Sequence, residues 1–177
     1  MADIPEEFEI KNKVAGSGLV EVNLEDYYPK GERVVVDIKD QLWQGLILRE
    51  DEFRAYIKDT DWSIYQDKYV AITCTADAII PLWAYMLVAS ALEPYAKKVV
   101  FGDLNALETA LFTSALSGID MEEYKDKRVI VKGCSKYPVP ESAYIEITTK
   151  LRPIAKSIMF GEACSTVPVY KAKGNKE

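Results

Sequence analysis

Tyr65-Gln66-Asp67-Lys68-Tyr69-Val70 returns as Tyr124-Lys125-Asp126-Lys127-Arg128-Val129, 59 positions further along the chain. The same offset carries Pro81, Ala84 and Tyr85 onto Pro140, Ala143 and Tyr144. It also carries Leu92, Pro94, Ala96 and Lys97 onto Leu151, Pro153, Ala155 and Lys156, and Phe101-Gly102 onto Phe160-Gly161. Cys74 and Cys134 differ by 60, which one insertion and one deletion reconcile; with that pair, 14 of the 39 positions from Tyr65 to Asp103 are identical to their partners. Chance does not readily hold one register that long, so the stretch reads as a duplicated unit over about 65–103 and 124–162.

The pattern inside each copy says what the unit is. Tyr69 to Cys74 is rich in β-forming residues, Pro81 to Glu93 is helical, and Lys98 to Gly102 is a strand. In the second copy, Arg128 to Val131, Pro140 to Leu151 and Ser157 to Phe160 repeat that order, the last of these being the final expected strand. Between the copies, Leu104 to Leu116 is a helix with Asp103 suited to its N-cap and Gly118 to its end. Strands alternating with helices of this length predict βαβ units and a mostly parallel sheet. The unbroken apolar runs Val99-Val100-Phe101, Val129-Ile130-Val131 and Ile158-Met159-Phe160 suit strands covered on both faces.

Upstream, residues 6 to 15 predict a short helix ended by Gly16-Ser17-Gly18. Leu19 to Leu24 alternates like a strand with one wet face. Arg33 to Ile38 and Leu42 to Leu48 read as a hairpin across Lys39-Asp40-Gln41, followed by a helix from Glu50 to Lys58. The fold class expected is therefore α/β. A mostly parallel sheet is built from a duplicated βαβ unit and preceded by a small mixed β element with a helix. The chain reads as a single domain over 1–177, with a β-rich front over 1–62, the duplicated part over 63–170 and a polar tail over 171–177.

Composition narrows the chemistry. The 177 residues include no His, which excludes a Ser-His-Asp triad, a Cys-His dyad and an imidazole metal ligand. The 28 acidic residues outnumber the 22 Lys and Arg, giving a net charge of -6 and no electrostatic reason to expect nucleic acid or an anionic membrane. The most apolar run, Ala78 to Leu92, is short for a membrane span and is interrupted by Pro81. The three Cys cannot all pair within one chain, and the acidic start lacks the features of a secretion signal. A reduced, cytoplasmic protein is the expectation.

In one parallel sheet, Cys74 and Cys134 end the first strands of the two copies, and Asp103 and Glu162 end the second strands. All four then lie along the carboxyl edge, where open α/β sheets bind ligands. Cys164, two residues past Glu162, reaches the same rim; its counterpart is Asn105, so it breaks the symmetry. One reading gives Cys74, Cys134 and Cys164 a shared metal, with Asp103, Glu162, Asp77 or an external group in the fourth position. Three thiolates suit zinc or an iron–sulfur cluster. A second reading makes Cys134 or Cys74 a nucleophile or persulfide carrier. A third makes all three cysteines small packing residues at strand ends, in a binding or scaffold module. Asp103 and Glu162 equally suit helix caps or turn positions.

The strings Thr73-Cys74-Thr75-Ala76-Asp77-Ala78-Ile79-Ile80-Pro81, Lys132-Gly133-Cys134-Ser135 and Phe160-Gly161-Glu162-Ala163-Cys164-Ser165 resemble the bacterial family called domain of unknown function 2480. The resemblance runs from Val14 to Tyr170 and brings no established activity. It implies a loose association with iron–sulfur assembly, hence an accessory role there. The partners expected are a protein or further copies of this chain, with no nucleic acid and no membrane.

Overall fold

The computed structural model describes residues 18–133, 136–162 and 164–173. The helix expected over 6 to 15 lies outside them. The strands are β1 (Leu19–Asn23), β2 (Arg33–Asp37), β3 (Leu42–Trp43), β4 (Ile47–Leu48), β5 (Tyr69–Thr73), β6 (Lys98–Phe101), β7 (Arg128–Lys132), β8 (Ser157–Glu162) and β9 (Ser165–Lys171). The helices are α1 (Glu50–Asp59), α2 (Leu82–Leu92), α3 (Leu104–Leu116) and α4 (Glu141–Leu151). The fold is α/β with mostly parallel sheets. None of the described helices is long and apolar enough to cross a membrane.

The chain divides into two compact units. The first takes the chain up to Asp26, Ile119–Pro138 and the chain from Tyr144; the second takes Tyr27–Gly118 and Val139–Ala143. The first unit holds a sheet of order β1-β7-β8-β9, parallel except for β9. The second holds a parallel sheet of order β2-β5-β6 and the small antiparallel pair β3-β4.

The two copies of the βαβ unit therefore do not share a sheet. Each recruits its own extra parallel strand: β1 pairs with β7, and β2 pairs with β5. The front part of the chain thus contributes one strand to each copy. The hairpin expected between Arg33 to Ile38 and Leu42 to Leu48 does not form: β2 pairs with β5, and the chain turns out of the strand direction straight after Asp37. Asp37 instead accepts from the backbone N–H of Lys39 and starts a short 3-10 helix, Ile38–Gln41. The hairpin lies wholly within 42–48, where Gln44 and Gly45 take φ of 52° and 72°.

The copies match in detail. Asp67 and Asp126, 59 apart, are both left-handed. Lys97 and Lys156 each donate their N–H across the crossover, to the carbonyls of Lys68 and Lys127, at 2.8 Å. Tyr85 meets Phe101 edge to face, with ring centroids 5.0 Å apart and planes at 78°. Tyr144 and Phe160 repeat the contact at 5.9 Å and 76°. The repeat also extends to the recruited strands. Leu19 pairs with Arg128 as Arg33 pairs with Tyr69, so Asn23 occupies in β1 the place of Asp37 in β2.

The apolar runs explain the layers. In the second unit, Val70 and Ile72 of β5 pack with Val88 and Leu92 of α2, Phe53 of α1 and Trp62. Ala71, on the opposite face of the same strand, packs with Leu107 and Leu111 of α3. Successive side chains of a strand point to opposite faces, so an unbroken apolar strand needs both covered. In the first unit, Val129, Ile130 and Val131 are all buried, as are Val22, Ile158, Ile147 and Leu151.

Candidate functional site

With two sheets there are two carboxyl edges. The edge of the four-stranded sheet carries a hollow of about 280 Å³ lined by Asn23, Glu25, Lys132, Gly133, Phe160 and Glu162 among others. Lys132, the last residue of β7, bridges two carboxylates: its Nζ lies 2.8 Å from Glu21 and 3.5 Å from Glu162. The hydrogen bond to Glu21, reinforced by the charges of both partners, raises the Lys132 ammonium above its ordinary pKa and keeps it charged. Half-buried Glu25 turns its carboxylate to the loop after β7, accepting the backbone N–H groups of Lys136 at 2.5 Å and Tyr137 at 3.1 Å. Asn23 Oδ1 accepts the N–H of Glu25 at 3.2 Å, which fixes the turn that presents it.

The edge of the three-stranded sheet is built on Asp37. Its Oδ1 accepts the N–H groups of Lys39 at 3.0 Å and Thr75 at 3.1 Å, and its Oδ2 accepts the Thr75 hydroxyl at 2.5 Å. Partial burial alone would raise its pKa. The hydrogen bonds from Thr75 and Lys39 outweigh burial and hold the carboxyl below its ordinary range. Cys74, at the end of β5, is a half-buried free thiol. Burial pushes the nearby Tyr85 hydroxyl up, and Cys74 and Asp37 add to the effect.

The sequence candidates divide between these edges. Cys74, Asp77 and Asp103 belong to the second unit, and Glu162 and Cys164 to the first. Cys134 lies outside the described residues. The single common edge expected for them does not exist, because each copy pairs with its own front strand and not with the other copy. Asp103 Oδ1 caps α3, accepting the N–H of Ala106 at 2.9 Å, as its position before the helix predicts. Cys164 is an exposed free thiol in the turn between β8 and β9. Among the described residues, no group of three or more Cys, Asp or Glu is placed to hold a metal ion.

Asp37, Glu25 and Lys132 were not among the sequence candidates. For Asp37 the signal is a second, shorter repeat: Val20-Glu21-Val22-Asn23 and Val34-Val35-Val36-Asp37 both end a strand in a small polar residue that accepts the N–H two positions on.

A family described as "Protein of unknown function (DUF2480)" matches residues 8–172. The chain belongs to that family. No curated protein and no solved structure matches the chain. The DUF2480 match spans both edges and both copies of the duplicated unit, so it does not single out either edge.

Proposed function

We propose that the carboxyl edge of the four-stranded sheet is a thiol-bearing metal site, for zinc or an iron–sulfur cluster, in a cytoplasmic accessory of iron–sulfur cluster assembly. One observation carries the reading. β7 and β8 are neighbouring parallel strands, with Val131 opposite Phe160. Gly133, just past β7, and Glu162, the last residue of β8, both line one hollow, and in the sequence Cys134 directly follows the first and Cys164 comes two positions after the second. Soft thiolates with a carboxylate are a donor set for zinc or iron. The reading narrows the five sequence candidates to Cys134, Glu162 and Cys164, since Cys74 and Asp103 belong to the other sheet and the other unit. Lys132 would balance the negative charge that such a donor set gathers.

Anaerobic purification with metal and sulfide analysis and an absorption spectrum tests it, on the parent chain and on single Cys→Ser variants. The expected result is bound metal that Cys134→Ser and Cys164→Ser each lose and Cys74→Ser retains. A metal-free parent chain, or equal loss in all three variants, overturns it.

A second reading, thiol chemistry at Cys74, is favoured by its place beside Tyr85 and next in sequence to Thr75, which donates to Asp37. It predicts that Cys74 is alkylated in the native protein at a rate that Asp37→Asn changes. Slow alkylation indifferent to Asp37 counts against it.

A further inference from the structure

The amino end of the four-stranded sheet carries a different hollow, of about 560 Å³. Leu19, Met159 and Tyr170 give it apolar surface, and Arg128, Lys156 and Lys171 give it positive charge. The strand register gathers them. Leu19 pairs with Arg128, Arg128 with Ser157, and Ser157 with Lys171, so one row crosses all four strands. Arg152 stacks on the Tyr170 ring, 3.8 Å from its centroid, and adds a further cation. Arg128, Lys156 and Lys171 are exposed and make no ion pair among the described residues. On a chain of net charge -6, this is a local reversal of sign, with no carboxylate among the described residues that line the hollow.

The described chain begins at Gly18, next to Leu19, which lines the hollow. The segment before it carries the opposite charge: Asp3, Glu6, Glu7 and Glu9 alternate with Ile4, Phe8 and Ile10. Eight residues, 11 to 18, separate that stretch from Leu19, a tether of up to roughly 30 Å when extended. We propose that residues 3–10 of this chain dock in the hollow, their acidic side chains against Arg128, Lys156 and Lys171 and their apolar ones against Leu19, Met159 and Tyr170. The short tether favours this segment over an external acidic peptide, because it holds the segment at high effective concentration.

A photo-cross-linking residue at position 8 of the full chain tests the proposal, with the products mapped by mass spectrometry over a range of protein concentrations. Cross-links within one chain to Met159 or Tyr170, in a yield independent of concentration, are expected. The triple reversal Arg128→Glu, Lys156→Glu, Lys171→Glu should lower that yield roughly fivefold or more, as loss of three rim ion pairs implies. Adding Glu6→Lys, Glu7→Lys and Glu9→Lys should restore it. The exposed pair Lys156→Glu, Lys171→Glu serves if the triple variant does not fold. Scattered cross-links, links between chains whose yield rises with concentration, or indifference to the charge reversal overturn the proposal.

Discussion

Asp67 and Asp126 hold the same left-handed backbone, φ 60° and 58°, and each donates its N–H to a carbonyl just past the helix of its own copy, Tyr95 or Ile154, at 2.9 Å. Asp tolerates this conformation because its short side chain is polar, whereas a β-branched residue meets the following carbonyl. Asp67→Val and Asp126→Val should each cost about 1–2 kcal/mol in urea unfolding, and the Gly variants should stay within about 0.5 kcal/mol of the parent. Equal stability of the Val and Gly variants would contradict the shared conformation.

Arg33 is held by the Glu108 carboxylate and the Tyr28 ring in the second unit. Its Nε lies 2.6 Å from Glu108 Oε1, its Nη2 3.3 Å from Oε2, and its guanidinium sits 4.3 Å from the Tyr28 ring centroid. The two charged side chains are only 11% and 16% exposed. Glu108→Ala leaves a largely buried cation unpaired and should destabilise the protein by about 2–4 kcal/mol. Arg33→Lys should lose most of that as well, since an ammonium cannot reproduce the fork or the stacking. A double-mutant cycle measures the coupling.

Gly161 takes φ 118° one position before the end of β8. A Cβ there would lie 2.5 Å from the backbone carbonyl oxygen of Ser165, which the pairing of β8 with β9 holds in place. Gly161→Ala should cost about 1–3 kcal/mol and weaken hydrogen-exchange protection in β9 first. A Cβ at its counterpart Gly102 would lie 2.6 Å from the Cβ of Ala106, so Gly102→Ala should be partly relieved by Ala106→Gly. Strict additivity of those two changes would show that the clash is absent.

Asp37 gives a pH test. Its folded pKa lies below the ordinary value, so its stabilising contribution is present above about pH 4 and is lost as pH falls through the depressed folded value. Thr75→Val removes the side-chain hydrogen bond and should move the Asp37 titration upward, with acid unfolding beginning at higher pH. Carboxyl NMR titration reads the first and circular dichroism the second. An unmoved Asp37 titration would mean that Thr75 does not set it.

The duplication was legible because it is written in residues with fixed local duties: the left-handed Asp, the Pro before each helix, the aromatic pair and the positive-φ Gly that follows the Phe of each second strand. Helix bounds followed from caps, as at Asp103. The placement of β1 and β2 was not legible, since a strand with one wet face does not say which partner it takes. Its partner β7 is more than 100 positions away, and no local signal spans that gap. β9 was missed because Pro168 argues against a strand. Pro168 is accommodated because β9 is an edge strand, with an irregularity between Ile158 and Met159 opposite it. The candidate site suffered from the same gap: one parallel sheet is expected where the two copies enter two, so Cys74, just past β5, and Cys164, just past β8, follow strands of different sheets.

The separation of β1 from β7 sets an order of events during synthesis. The ribosome delivers β1 first, then every strand and helix that completes the β2-β5-β6 sheet, and only afterwards the partner that β1 needs. The stretch Tyr27–Gly118, all of the second unit except Val139–Ala143, can pair its strands once it has emerged, while β1 waits for its partner β7. A nascent chain stalled near that point should already protect β5 from exchange and still leave β1 open to protease.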